Sequence, residues 1–354
     1  MKRSSPSLGL VIAVIAAATF GMSGAFIKPL LEAGWSPAAA VTARALLGGV
    51  VLLPVALVSL RKKWSALWRA RWRIVAMGLI GVAGTQLVYF AALERIPVNT
   101  AILIEYMAPL LLVGFVWAVS RRMPSVVVLI GSVVAVVGLT LVVSPGGSGS
   151  FDLLGLGFAA LATVGCAIYY VVAARPSDGL PPVAFAACGL LLGGLVLGIL
   201  GISGLVPFTA TFGVAYLMGS SVPWWVPLLV VGVLATAVAY ATSITATEML
   251  GSRLASFAGL LEVVAAALYA WILLGENLSV LQLVGGVLIL AGIGFVRSEK
   301  RGAATMLEPG AIPEPAPADT PPRADTPPRA DSPLPPTPPP ADSSRPAPVE
   351  LTGG

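Results

Sequence analysis

Gly78–Glu94, GLIGVAGTQLVYFAALE, and Gly232–Glu248, GVLATAVAYATSITATE, align end to end without a gap. The same shift of 154 positions carries residues 74–139 onto 228–293. It pairs Ala101 with Ala255, Trp117 with Trp271, Gly131 with Gly285 and Gly138 with Gly292. Upstream, a shift of 144 sets Ala16, Ala18, Thr19 and Gly21 on Ala160, Ala162, Thr163 and Gly165. Each copy holds five apolar segments, and an odd number reverses the chain across a bilayer, so the second copy inserts upside down. The pattern predicts an all-α membrane protein: ten transmembrane helices arranged as two inverted five-helix repeats. Such repeats hold a substrate between the halves near the bilayer midplane and expose it alternately by rocking.

Composition agrees with a bilayer setting. The chain has 354 residues, 57% hydrophobic and 10% charged. A span needs about 20 mostly apolar residues. Ten segments qualify, near 8–28, 38–60, 74–93, 98–119, 125–143, 154–173, 182–206, 227–247, 254–274 and 280–296. The short alternating strands of a membrane barrel do not occur. Met1-Lys2-Arg3 gives the first segment a basic start. Its apolar run exceeds the roughly 7–15 residues of a secretory signal and has no small-residue cleavage site before Lys28, so it is read as a retained helix.

Charge sorts by side. With the N-terminus inside, the inner segments hold Lys2, Arg3, Arg61, Lys62, Lys63, Arg69, Arg71, Arg73, Arg121, Arg122, Arg175, Arg253, Arg297, Lys300 and Arg301; the outer loops hold Lys28 and Arg95. This is the asymmetry of short loops in inner-membrane proteins, and it predicts a bacterial plasma-membrane protein with both termini cytoplasmic. The net charge of +5 then reflects orientation and implies no nucleic acid. Trp35, Trp64, Trp68, Trp72, Trp224 and Trp225 fall at span ends, as an interfacial belt requires. Cys166 and Cys188 read as small core hydrophobes. The chain has no histidine, no metal-ligand spacing and no nucleophile-plus-base constellation, so neither an enzyme nor a cofactor or metal is expected.

Residues 1–301 are expected to form the membrane transport domain, with repeat one at 8–143 and repeat two at 154–296. The basic loop 61–73, with tryptophans four apart, suits a short helix on the inner leaflet. The outer loop 207–226 is semi-apolar and suits either a cover for the outer mouth or an interfacial loop. From Gly302 to Gly354 the sequence turns Pro-rich, with Ala318-Asp319-Thr320-Pro321-Pro322-Arg323 nearly repeated at 324–329. Such a tail cannot bury a core and is expected to be disordered, with polyproline II character.

Ionisable groups inside a bilayer are costly and mark function by default. Three qualify: Arg44 in the second span, Glu105 in the fourth and Glu262 in the ninth. Arg44 and Glu105 each lie about 9–10 Å in from the outer surface and Glu262 about 12 Å from the inner one, at the α-helical rise. Under the 154 shift Glu262 falls on Ala108, three residues beyond Glu105, and positions three apart share a helix face. The carboxylates are therefore expected to aim at one centre. Arg44 beside Glu105 would keep that carboxylate ionised, whereas Glu262, with no such neighbour, is suited to taking up and releasing a proton. Two readings stand for each: Arg44–Glu105 as a substrate-orienting pair or a static bridge, and Glu262 as the proton-coupling site or a hydrogen-bonded structural group. Tyr106, Gln86 and Tyr240, with Thr19 and Thr242, are candidate cavity-lining residues. Pro109, one turn beyond Glu105, is expected to kink its helix and free a carbonyl.

Ala91–Leu111, AALERIPVNTAILIEYMAPLL, resembles the fourth-helix region of the drug/metabolite transporter superfamily in its EamA-type branch, and 271–292, WILLGENLSVLQLVGGVLILAG, resembles the end of the repeat. The Ile104-Glu105-Tyr106 run before Ala108-Pro109 is similar to amino-acid exporters of the threonine/homoserine type. Residues 8–297 carry the resemblance. It implies five-plus-five inverted helices and, usually, proton-linked export of small metabolites. It also implies that Arg44, Glu105, Pro109 and Glu262 fall in cavity segments. Ser120-Arg121-Arg122 departs from the usual Gly-Glu-Arg, which Gly275-Glu276 keeps in part. The resulting expectation is a secondary active transporter whose partners are a small polar metabolite, protons and the lipid bilayer; a homodimer is compatible with the sequence. Alternatives are an uptake carrier or exchanger of the same fold, and a non-transporting scaffold acting through the Pro-rich tail.

Overall fold

Lipid offers the backbone no hydrogen-bond partner, so apolar segments of this length fold as helices. The computed structural model describes residues 6–61, 63–96, 98–121, 123–143, 152–175, 179–274 and 279–298. The Pro-rich tail, residues 144–151, Arg122 and the Gly275-Glu276 motif lie outside the described residues. Among the described residues, eight helical stretches are long and apolar enough to cross a membrane, and two shorter apolar helices, Val126–Val142 and Val280–Val296, complete a set of ten.

The first repeat runs through α1 (Pro6–Glu32), α2 (Pro37–Leu60), a short α3 (Trp64–Arg69), and a third span made of α4 (Arg71–Ala76), a π-helical stretch Met77–Gly84 and α5 (Thr85–Leu93). The fourth span is α6 (Val98–Glu105) and α7 (Ala108–Ser120), and the fifth is α8 (Val126–Val143). The second repeat follows as α9 (Leu153–Ala174), α10 (Pro182–Ile202), a hairpin of β1 (Val214–Leu217) and β2 (Ser220–Pro223), then α11 (Trp225–Gly232), a π-helical stretch Val233–Val238 and α12 (Ala239–Leu250). It ends with α13 (Ser252–Gly259), α14 (Leu261–Leu274) and α15 (Val280–Ser298).

Local chemistry explains the boundaries. Pro37 and Pro182 sit in the first turns of α2 and α10, where a missing N–H costs nothing. Asp152 caps α9: its carboxylate accepts from the amides of Leu154 (2.8 Å) and Gly155 (3.2 Å) and from Arg95 (3.2 Å). The Gly155 bond is the largest of the influences holding this exposed carboxyl below its usual range. At the other end of α9, Arg73 donates to the carbonyls of Val172 (3.2 Å) and Arg175 (3.0 Å), where a cation suits the helix dipole. The basic loop does form a short helix, with Trp64, Trp68 and Trp72 all exposed and the Arg71 guanidinium 4.9 Å from the Trp68 ring.

Packing follows a pseudo-two-fold. α2 lies along α10 and α8 along α15, whereas α1 packs on the eighth and ninth spans and α9 on the third and fourth. Steric detail repeats the exchange. A Cβ on Gly138 would stand 2.6 Å from the Gly285 carbonyl oxygen, and one on Gly292 would stand 2.7 Å from that of Gly131. Exchanging the repeats turns one contact into the other. Likewise Gly48 meets the Gly232 carbonyl and Thr236, while Gly193 meets the Gly78 carbonyl and Val82. That second match sets the register of α2 on α10 at 145 and places Gly189 opposite Arg44.

The loop 207–226 contains a hairpin that the sequence reading did not foresee. Met218 (φ 52°) and Gly219 (φ 75°) form its two-residue turn, the positive-φ arrangement suited to strand twist. Trp35 Nε1 donates to the Thr211 carbonyl at 2.6 Å, Ser36 N to the Thr209 carbonyl at 2.9 Å, and the Trp35 and Trp224 rings stack at 5.9 Å. The loop is thereby fastened to the turn between α1 and α2.

Gly138→Val should separate α8 from α15 and cost about 1–3 kcal/mol, the usual penalty of overpacking. Gly294→Val, where a Cβ would meet nothing within 4 Å, should leave the melting temperature in detergent unchanged. Equal effects would contradict the close approach.

Candidate functional site

Four irregular stretches lie in repeat-equivalent places. The π-helical Met77–Gly84 and Val233–Val238 overlap under the 154 shift, immediately before Gln86 and Tyr240, which are themselves equivalents. The fourth span breaks between Glu105 and Ala108 and the ninth at Leu260, each through tight turns: Met107 N to Ile104 O (3.0 Å) in one, Leu260 N to Phe257 O (3.1 Å) in the other. Pro109 sits in the first turn of α7, just after the break. The ninth span breaks without a proline, so the interruption belongs to the repeat, and Pro109 suits one copy of it. Wide π turns recur at functional sites.

These breaks set the charges. Glu105 is the last residue of α6, and Glu262 lies in the first turn of α14, where the helix N-terminus favours an anion. Tyr106 occupies the break itself, with its phenol beside the Glu262 carboxylate. Glu105 lies within Coulombic reach of Glu262 and Arg44, and Glu262 within reach of Arg44. All three are half-buried.

The arrangement departs from the expected pairing. Arg44 donates from Nη1 to Ser23 Oγ of α1 at 3.1 Å, and no Arg44–Glu105 ion pair occurs among the described residues. Nor is Glu262 isolated from the guanidinium, whose charge reaches both carboxylates. Tyr240 is buried, with its ring 5.1 Å from Phe20 and 5.9 Å from Tyr169, edge-on to both. Gln86 is half-buried near the start of α5, and no hydrogen bond among the described residues joins it to the carboxylates. Thr19 and Thr242 turn onto their own helices, donating to Ile15 O and Val238 O at 2.9 and 2.7 Å, so neither offers its proton to a cavity.

Residues that the sequence reading passed over surround the cluster. Tyr89 feels the charge of Glu105, and Cys166, read as a core hydrophobe, feels both carboxylates. Tyr169 donates to Ser243 Oγ at 2.8 Å, buried. Tyr170, Ser243, Gly259 and Glu262 border a cavity of about 20 Å³, room for about one water. The signal for Tyr169 and Tyr170 was two adjacent phenols in an otherwise apolar span.

A helical membrane bundle of two inverted five-helix repeats around a shared charged centre defines a membrane transporter for small molecules. Residues 7–144 and 153–298 match the EamA-like transporter family, and the chain belongs to it. It is 23% identical over 304 residues, 83% of this chain and 96% of the other, to a protein of Salmonella typhimurium described as the uncharacterized inner membrane transporter YicL. It is 26% identical over 293 residues, 81% of this chain and 90% of the other, to the threonine/homoserine exporter RhtA of Escherichia coli K12. A crystal structure with 20% identity superposes with a TM-score of 0.67, over 82% of this chain and 97% of that one.

Because Arg44 is not locked to Glu105, exchanging the two charges (Arg44→Glu with Glu105→Arg) should leave solute flux as low as either single variant does. Restored flux in the double variant would identify a static bridge.

Proposed function

We propose that the chain is a proton-coupled exporter of small polar metabolites of the amino-acid type, working by alternating access. The convergence of Glu105 and Glu262 on one guanidinium, Arg44, carries this reading. In a low-dielectric interior each charge needs an opposite one close by. Arg44 offsets one carboxylate. The other is offset by a proton in the empty carrier and by the substrate ammonium in the loaded one, where the substrate's own carboxylate shares Arg44 and leaves the centre with one net negative charge. Proton and substrate then compete for the same oxygens, which makes their movements opposite and obligatory.

The parts take distinct roles. Arg44 receives the carboxylate of a zwitterion, Glu105 and Glu262 receive its ammonium, and Glu262 is the group that takes the proton. Tyr106 orients Glu262, and Gln86 and Tyr240 add polar contacts from the third and eighth spans. Similarity to a protein named as a threonine/homoserine exporter supports the substrate class and makes threonine the first probe. One proton entering for each zwitterion leaving carries a positive charge inward, so an inside-negative potential should accelerate export.

The basic segments support placing the N-terminal end of the bundle in the cytoplasm of a bacterial inner membrane. Met123 and Met218, exposed at opposite ends, give the test. Met218→Cys should react with an impermeant maleimide in intact cells, and Met123→Cys only after permeabilisation. Labelling of both from one side would remove the inverted topology and the exchange mechanism with it.

In proteoliposomes, Glu262→Gln should abolish proton-driven threonine flux while leaving threonine–threonine exchange. Driven flux that persists unchanged would show that coupling lies elsewhere.

A further inference from the structure

The two ends of the bundle are not in the same condition. At the end where α1 begins and α9 finishes, α9 crosses onto α12 and α13. Tyr169 bonds Ser243 there, and the Tyr170 hydroxyl fills the space where Gly259 has no side chain. At the opposite end α1 makes no comparable packing with α5 or α6 among the described residues. Among the described residues, phenols join α9 to the eighth and ninth spans at one end, and nothing comparable joins α1 to the third and fourth spans at the other.

Inverted repeats exchange these conditions when they rock: what α9 does at one end, α1 does at the other. The 144 shift carries Ala25 and Phe26 onto Tyr169 and Tyr170, and the 154 shift carries Tyr89 and Glu105 onto Ser243 and Gly259. We propose that Phe26 and Tyr89 close the opposite end in the alternate conformation, Tyr89 against Ala25 and Phe26 over Glu105. The inference rests on the alternating-access reading above and adds the residues that perform it.

Size supports the pairing. Where one repeat sets a ring on α9 against a small residue, Tyr169 on Ser243, the other has the ring on α5 and the small residue on α1, Tyr89 and Ala25. Tyr170 needs a glycine opposite because its hydroxyl occupies the side-chain space. Phe26 lacks that hydroxyl and faces a residue that has a side chain, Glu105. Bulk is conserved in both exchanges while chemistry is not. Phe26 over Glu105 would strip water from one member of the charged centre as that end shuts.

The test uses full-length protein in proteoliposomes with Cys166→Ala and Cys188→Ala. Because a ring bridges each pair, a direct disulfide, which requires Cα atoms within about 7 Å, gives way to a bis-methanethiosulfonate as long as a tyrosine side chain, which attaches to each cysteine through a reducible disulfide. Ala25→Cys/Tyr89→Cys and the control Tyr169→Cys/Ser243→Cys should each cross-link, each should block threonine exchange, and reductant should restore it. With all four cysteines present, one molecule should carry one cross-link or the other. Tyr170→Ala, which loosens the closed end, should raise the rate of the Ala25→Cys/Tyr89→Cys reaction severalfold. Phe26→Tyr should slow exchange roughly tenfold, because its hydroxyl would collide with Glu105. A control that cross-links and blocks exchange, beside a distal pair that never reacts in either background, would overturn the assignment of Phe26 and Tyr89 and leave alternating access standing. Both cross-links in one molecule would overturn the two together.

Discussion

A backbone polar group facing hydrocarbon has no partner, and that constraint decides where this chain is allowed to be irregular. Four interruptions occur within its spans: two π-helical stretches, at Met77–Gly84 and Val233–Val238, and two breaks, at Tyr106–Met107 and Leu260. Each loosens main-chain bonding, and the freed groups need other partners. Local devices help, as where Thr85 donates to the Ile80 carbonyl at 2.7 Å. Because the interruptions come in repeat-equivalent pairs, they are features of the ancestral unit. They also lie beside Glu105, Tyr106 and Glu262, whose charges and phenol are within electrostatic reach of one another.

The repeats were legible because glycine and alanine at close approaches leave a pattern that survives divergence. Gly131, Gly138, Gly285 and Gly292 recur in sequence because backbones touch there. The charged residues were legible for a different reason: their cost in lipid makes any survivor conspicuous. The wide turns were not legible. No residue type specifies a bond five residues back, and the glycines of Met77–Gly84 read equally well as packing positions. Pro109 announced one break, but its counterpart at Leu260 has no proline to announce it. Arg44 was assigned to Glu105 by depth along the second and fourth spans, so its reach to Glu262 went unseen. Tyr169 and Tyr170 were missed because an aromatic in an apolar span is ordinarily packing.

The rigid and moving parts of the bundle separate on the same grounds. α8 against α15 and α2 against α10 meet through glycines, with carbonyls and side chains filling the space a Cβ would take. Contacts that close behave as fixed seams, since interiors are bistable before they are compressible. α1 and α9 are the elements whose packing differs between the two ends. A rocking motion that leaves the seams intact has these two helices as its moving surfaces, and the charged centre lies beside both, with Arg44 tied to Ser23 on one and Cys166 carried by the other.

A scaffold with perfect two-fold symmetry would have two end states of equal energy and no reason to prefer a direction. The charges remove that equality. Arg44 falls opposite Gly189, Glu105 opposite Gly259 and Glu262 opposite Ala108, so every ionic group at the centre has an uncharged counterpart. Opening one end hydrates a set of side chains different from the set hydrated by opening the other. Hydration of buried charge is a large term in lipid. Under the proposed mechanism, a change of one proton or one ammonium at the centre reorders the two states. Under the exchange mechanism proposed above, the fold supplies the motion, the unmatched carboxylates and guanidinium couple it to proton and substrate, and the gradients set its direction.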